Sequence, residues 1–473
     1  RVRSYPDERE ESDDWRPKAK SKKPAKKLPP GLVPTSSYQE LIAIAFLCTG
    51  QWGIEAKSLK RQLPLLGVRE NPKHDRERLD MPFFERMEAL KTLLISQKKL
   101  FQDRYDANAK ILAGVGLDES ALAENESEDL EKNDTPTPSD PAPLRGWVKT
   151  ANDMLTAVNF LLAQRDKKDR SIFSKKTNGY LGLEKNAWGA LAKDGNQKLP
   201  FVAYSELPMA TCPGAGACGV ALTGAFEKVK KPMVDQKGEY VYNKKGQPKM
   251  TDGTAGHRGW CYSFTAWRYP DAFRRQALNT LANYADREFA ILKNGGPADP
   301  AKYAARVEAS INGEKDRAWT RHIEQSALEA TEKGRAAGKK TFMRLFVDGD
   351  INTEDNIYAW MRVCKRIEGQ IEVYGYTKCW QQFLNVHKRF GEAWWPKNYV
   401  VNLSSGSVYV KSMDVRAEME ALPISRGYFE AINLHGYIKE LEKQTALLAE
   451  NPAAAIPMDA PEVKFDQFRF SEE

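Results

Sequence analysis

From Phe342 onward the chain alternates short apolar runs with amphipathic helical stretches, and this rhythm constrains its fold more than any other feature. Phe342 to Val347 (FMRLFV), Ile371 to Tyr376 (IEVYGY) and Tyr399 to Leu403 (YVVNL) read as strands, separated by helices over Glu354 to Ile367 and Trp380 to Phe390. A shorter helix near Met413 to Leu422 and a strand-like Tyr428 to Leu434 extend the series. Strands alternating with helices imply right-handed crossovers and a parallel sheet. The expected class is α/β, either a parallel strand-helix barrel or an open sheet. In both, functional groups gather beyond the carboxyl ends of the strands. That rule groups Cys212 and its loop, Asp348-Gly349-Asp350, Thr377-Lys378-Cys379 and Ser404 to Ser407 around one cavity.

Upstream, the organisation differs. Residues 1–35 run from acidic to basic (KAKSKKPAKK) to Pro-rich, a composition that predicts a disordered tail. Residues 36–116 predict a helical N-terminal module, with Ser36-Ser37 capping a helix over Tyr38 to Thr49 and a second helix from Phe83 to about Leu112. The acidic, Pro-containing stretch 117–145 reads as a linker and 441–473 as a C-terminal tail. Between them, 146–440 is expected to hold the α/β domain, with long helical insertions. It opens with a helix from Trp147 to Gln164, followed by irregular Gly- and Lys-rich sequence up to Pro200. Phe201 to Tyr204 is a strand leading to the first of the clustered cysteines, and Pro232 to Thr251 alternates like a hairpin. Helices follow from Asp271 to Leu292 and from about Pro300 to Gly338.

Composition excludes several classes. With 41% hydrophobic and 10% aromatic residues the chain can bury a sizeable core, so disorder throughout is ruled out. No apolar run approaches the roughly 18 residues of a membrane span, and the charged start lacks a secretory core. A cytoplasmic protein with no membrane partner is expected. The first residue is Arg1, which leaves open an upstream segment. Lys and Arg total 72 against 64 Asp and Glu, for a net charge of +8. This mild excess permits contact with nucleic acid without requiring it. Six cysteines in so long a chain do not make a disulfide framework, which favours a reduced compartment.

The sharpest local feature is Thr211-Cys212-Pro213-Gly214-Ala215-Gly216-Ala217-Cys218, followed at a distance by Cys261-Tyr262-Ser263. A Pro-Gly loop between cysteines is poor helix or strand interior, and three thiolates suit an iron-sulfur cluster or zinc. Zinc needs a fourth ligand, for which His257 is the nearest candidate. The competing reading is three small buried cysteines. Cys48 and Cys364 read as core, whereas Cys379 fits either core or cavity. Asp348 and Asp350 can hold an amine, a ribose hydroxyl or a divalent cation, or can form a turn capping the next helix. Lys378 is a candidate contact for a carboxylate or phosphate, or an ordinary lysine at a helix start. Of the aromatics near these loops (Trp260, Tyr262, Trp267, Trp380, Trp394 and Trp395), most are expected in the core and some to stack on a base.

The order Thr-Cys-Pro-Gly-Ala…Cys, then Cys-Tyr-Ser, then Arg344…Asp348-Gly349-Asp350, then Tyr374…Tyr376-Thr377-Lys378 resembles the phage gene product 88 family over about Ser174 to Leu403. That family is in turn similar in layout to radical S-adenosylmethionine enzymes. The resemblance implies that Cys212, Cys218 and Cys261 hold a four-iron, four-sulfur cluster with one open iron. It further implies that Asp348, Gly349 and Asp350 sit where the acidic motif meets the S-adenosylmethionine cofactor; the strand-end rule adds Thr377 and Ser405 to the expected cofactor-binding set, and Lys378 and Asp350 are the catalytic candidates. The expected function is that of an iron-sulfur protein of phage or mobile-element type, and the finer expectation is a radical S-adenosylmethionine-like enzyme acting on a nucleotide or nucleic acid. The alternative is a zinc-stabilised nucleic-acid-binding protein without catalytic activity.

Overall fold

The computed structural model describes residues 38–52, 77–78, 81–117, 144–185, 187–192, 201–208, 210–212, 231–232, 250–251, 263, 266–314, 317–404, 407, 409 and 412–429. Its helices are α1 (Tyr38–Thr49), α2 (Phe83–Gly114), α3 (Leu144–Leu162), α4 (Pro270–Lys293), α5 (Tyr303–Asn312), α6 (Ala318–Ala336), α7 (Glu354–Arg366), α8 (Trp380–Phe390) and α9 (Met413–Glu420). The main sheet contains β1 (Leu191–Ala192), β2 (Phe201–Tyr204), β3 (Phe342–Leu345), β4 (Glu372–Thr377), β5 (Tyr399–Ser404) and β6 (Ser425–Phe429). No described helix is long and apolar enough to cross a membrane.

The sheet runs in the order β6-β5-β4-β3-β2-β1, with β2 to β6 parallel and β1 antiparallel at the edge. Among the described residues it is open, so of the two expected forms the sheet is present and a closed barrel is not. Each crossover advances by one strand in the same direction. With right-handed crossovers, this places the connecting helices on one face. Burial alternates accordingly. Met343 and Leu345, Val373, Gly375 and Thr377, and Tyr399, Val401 and Leu403 are buried, whereas Arg344, Tyr374 and Tyr376 on the opposite face are half-buried.

The alternating region and the helices before it fold largely as expected, with two differences. The helix expected from Pro300 to Gly338 is broken into α5 and α6. Gly313 sits where a Cβ would lie 2.6 Å from Asn294 Nδ2 and 2.8 Å from Ala290 Cβ, and the turn there carries Arg317 into the interior. The last strand begins at Ser425, before Tyr428, and residues 430–434 lie outside the described set. The stretch read as irregular contains β1, which is too short to show a period. The expected hairpin is represented by a ladder pairing Lys231 with Thr251 and Pro232 with Met250.

One hydrophobic core joins α1 and α2 to α3, α4 and the sheet. Phe101 of α2 packs on Trp147 of α3 with ring centroids 5.9 Å apart, and Trp147 on Phe273 of α4 at 5.7 Å. Against the helix face of the sheet, Tyr204 packs on Trp360 at 4.6 Å. Phe346 closes β3 in the left-handed region (φ 54), held by Tyr204 and Trp360. Such a conformation costs about 1–3 kcal/mol and persists where packing over-determines it.

Arg317 is 1% exposed and its charge is met inside the protein. Its Nη2 donates to Asn283 Oδ1 (2.7 Å) and its Nε to Asp286 Oδ2 (3.3 Å). Asp286 also accepts the Trp319 backbone N–H at 2.8 Å. Burial raises the Asp286 carboxyl, while Arg317 and the backbone donors pull it back. Removing one partner of such a pair leaves the other charge uncompensated. Arg317→Leu is therefore expected to lower stability by about 3 kcal/mol in urea unfolding at pH 7. An unchanged unfolding midpoint would show that the pairing contributes nothing.

Candidate functional site at the carboxyl ends of β2, β3 and β4

The loops after β2, β3 and β4 are tied together by Asp350. This side chain is 3% exposed. Its Oδ1 accepts from Thr377 Oγ1 (2.8 Å) and the Ile351 N–H (2.8 Å), and its Oδ2 from the Lys378 N–H (2.7 Å). The Asp350 N–H in turn donates to Thr211 Oγ1 at 3.2 Å, which brings in the β2 loop immediately before Cys212. The Ser407 hydroxyl donates to the Lys378 carbonyl (2.8 Å), adding the segment beyond β5. Burial raises the Asp350 carboxyl, opposed by Lys378 and by hydrogen bonds from Lys378, Thr377 and Cys379.

Asp348 is buried beside it. Gln276 Nε2 of α4 donates to Asp348 Oδ2 at 2.9 Å, and the side chains of Ser263 and Ser205 also bond this carboxylate. Burial raises the Asp348 carboxyl, with Ser263, Ser205, Arg344 and Gln276 pulling it down. The helix-cap role lies elsewhere, because α7 is capped by Thr353, whose side chain accepts the Asn356 N–H. Gly349 takes φ +84, and a Cβ there would lie 2.4 Å from Thr211 Oγ1 and 3.3 Å from Glu206 Cβ. Only glycine fits this crossing of two loops without strain.

The predicted site residues thus divide. Cys212, Asp348, Gly349, Asp350, Thr377 and Lys378 lie on strand-end loops joined by direct hydrogen bonds. Cys218, Cys261 and Ser405, together with His257, Trp260 and Tyr262, lie outside the described residues. Cys212 is half-buried, whereas Cys48, Cys364 and Cys379 are buried. Burial pushes the Cys48 and Cys364 thiols up, as suits core residues. Cys379 resolves to the core side, with its N–H donating to Thr377 Oγ1 at 3.0 Å. Trp267 and Trp380 are fully buried, Trp395 is nearly so, and Trp394 is half-buried.

Several residues that build the site were not singled out from sequence. Gln276, Asn279, Thr280, Asn283 and Arg287 recur at helical spacing along α4, and all are buried. Asn279 Nδ2 donates to the Ala190 and Ser205 carbonyls, both at 2.9 Å, and Thr280 Oγ1 accepts the Leu207 N–H at 2.9 Å. A polar stripe at this period inside an otherwise apolar helix was the available signal. Glu206 is fully buried behind the same loop. Its Oε1 accepts from Tyr204 Oη and Asn283 Nδ2, both at 2.8 Å, and among the described residues its Oε2 has no hydrogen-bond partner. Burial raises this carboxyl from its ordinary value near 4.5 up to about 8, against the pull of Tyr204, Asn283 and Arg317. At neutral pH it is therefore held largely protonated, which lowers the cost of the unsatisfied oxygen.

A profile of the gene product 88 family matches residues 160–424, which covers β1 to the start of the last turn before β6. No curated protein matches the chain, and no solved structure does.

Two outcomes follow. Gly349→Ala is expected to destabilise the protein by about 2 kcal/mol, and Thr211→Ala in the same chain to recover part of that loss by removing the nearer clash. Additive losses in a double-mutant cycle would contradict the contact. For Glu206, the folded state keeps a proton that the unfolded state releases, so stability falls as pH rises from about 4.5 to about 8 and then levels. Glu206→Gln should flatten that slope in denaturant titrations between pH 5 and 8. The match spans more than half of the sequence and includes every site loop described above, and the chain belongs to the gene product 88 family.

Proposed function

We propose that this protein is an iron-sulfur protein of phage type that acts as a radical S-adenosylmethionine-like enzyme on a nucleotide or nucleic acid, with Cys212, Cys218 and Cys261 as cluster ligands. The observation that supports this most is the anchoring of two cysteine-bearing segments on one loop. Thr211, next to Cys212, accepts the Asp350 N–H, and Ser263, two positions after Cys261, bonds Asp348. Both anchors stand at the carboxyl end of a parallel sheet, where ligands are commonly bound.

The donor chemistry fits a cluster. Three soft thiolates suit iron-sulfur ligation, and Cys212 is half-buried where the core cysteines are inaccessible. When bound by Cys212, Cys218 and Cys261, such a cluster would supply single-electron chemistry to a ligand at this site. The chain's own residues then hold and orient. Asp350 is saturated by protein donors, which gives it a positioning role: it fixes the Thr377-Lys378 turn and so sets where the Lys378 side chain leaves the backbone. Lys378 is the cationic candidate for contact with an anionic group of the ligand. Asp348, held by Gln276 and two serines, keeps Gly349 and its peptide groups at the rim, and Ser405 is the remaining member of the proposed cofactor-binding set.

Metal and sulfide content decides between this reading and its alternative. Anaerobically purified or reconstituted protein is expected to carry about four irons and four sulfides. A Cys212→Ala, Cys218→Ala, Cys261→Ala variant should lack them and lose the paramagnetic signal of the reduced cluster. Iron-free protein after reconstitution, with stoichiometric zinc, would establish the zinc-stabilised nucleic-acid-binding alternative instead.

A further inference from the structure

A continuous run of buried contacts leads from the N-terminal helices to Asp348. Phe101 of α2 packs on Trp147 of α3, Trp147 on Phe273 of α4, and Phe273 edge-on (90°) against Trp267 with ring centroids 5.0 Å apart. All four rings are at most 1% exposed. Trp267 lies in the short 3-10 turn Ala266–Arg268, just ahead of α4. Its Nε1–H donates to Gln276 Oε1 at 2.8 Å, and Gln276 Nε2 donates to Asp348 Oδ2 at 2.9 Å. The side chain of Ser263, four positions before Trp267, bonds the same carboxylate. The docking of α3 on this corner is tight: a Cβ at Gly146 would lie 2.8 Å from Pro270 Cβ, Thr150 Oγ1 donates to the Pro270 carbonyl at 3.2 Å, and Arg274 pairs with Asp153 at 2.8 Å.

Chemistry fixes the order of donors in this run. An indole nitrogen can only donate, so the Gln276 amide must turn its oxygen to Trp267, which leaves its nitrogen for Asp348. With the amide turned over, N–H would face N–H and oxygen would face carboxylate. Trp267 thereby selects the one amide orientation that serves Asp348. The position of Trp267 is itself set by packing, because a close-packed interior passes a displacement from one ring to the next. Phe101 and Trp147 precede the residues matched to the family, whereas Phe273, Trp267, Gln276 and Asp348 fall among them.

We infer that Trp267 and Gln276 are positioning residues, through which the N-terminal helices set the Asp348 carboxylate and with it the strand-end loop at Gly349. The inference rests on reading the strand ends as the functional site. It gives the helices ahead of the family-matched region a part in that site, and it holds whichever metal the cysteines bind.

The test is amide hydrogen exchange of the full-length protein, read at two loop amides: the Glu206 N–H, which donates to the Asp348 carbonyl at 3.0 Å, and the Asp350 N–H, which donates to Thr211. The Val373 and Val401 amides, bonded inside the sheet, are the reference. Trp267→Phe keeps a ring and removes the donor, and Gln276→Met cuts the same link one bond further on. Each is expected to lower the protection of the two loop amides about tenfold relative to the reference amides. Phe101→Leu, remote from the loop, should lower it about threefold or more and should add nothing in the Trp267→Phe background. Loop amides that change only in step with the reference amides would show that these residues merely support the core, and would overturn the proposal. So would losses that multiply in the double variant, because Phe101 would then act on the loop by another route. Iron measured on the same samples keeps the two readings apart: iron-free protein with the expected pattern sinks only the cluster, and iron-loaded protein without it sinks only the positioning role.

Discussion

Asp350 accepts three hydrogen bonds on one carboxylate while its own N–H reaches Thr211, so a single residue fixes the loops after β2, β3 and β4 relative to one another. Adjacent parallel strands share hydrogen bonds along their length, but nothing in the ladder dictates where the chain goes beyond it. A loop tied to its neighbour by charge-assisted bonds of 2.7 to 2.8 Å has little freedom left. Gly349 is the corollary. The two loops cross closely enough that a methyl group would collide with the Thr211 hydroxyl.

Behind this strap the fold tolerates an unusual density of buried polarity. Glu206, Asn283, Arg317, Asp286 and the Tyr204 hydroxyl form one connected set, with Trp319 Nε1 donating to Tyr204 Oη at 3.0 Å. An apolar interior of the same volume is often at least as stable, so this network is better understood as fixing one arrangement than as adding stability. Its reach supports that view. It joins β2, α4 and α6, and through Asn283 and Asn356 it touches α7. The strand-end loop therefore rests on a base that has few alternative packings.

The sheet was legible in the sequence because its period is local. Trp380–Phe390 carries a helical apolar stripe and Tyr399–Ser404 a run of strand formers, and each forms the expected element at nearly the expected bounds. Placement of Asp348, Asp350 and Thr377 at one rim followed from the strand-end rule. What the rule does not contain is the state of those groups. Asp348 and Asp350 look alike in sequence as open carboxylates, yet one is held by α4 and the other by the next loop, and both contacts join residues far apart in the chain. Glu206 was illegible for the same reason, since its partner Asn283 lies 77 positions away. The break between α5 and α6 was missed because Ala- and Glu-rich sequence has high helix propensity throughout, and the close approach of Gly313 to Ala290 is a tertiary constraint.

The direction of winding links these layers to chemistry. A doubly wound sheet buries both faces under its own crossovers and leaves only the strand ends for ligands. Here β2 to β6 are added in sequence order, so right-handed crossovers place the connecting helices on one face, and the other face has a different composition. The alternation along β4 shows the consequence in one strand: Val373, Gly375 and Thr377 are committed to the helices and the Asp350 strap, while Tyr374 and Tyr376 stand on the far side with Arg344. Arg344 is the residue that joins the two regions, because it acts on both Asp348 at the rim and Tyr374 on the face.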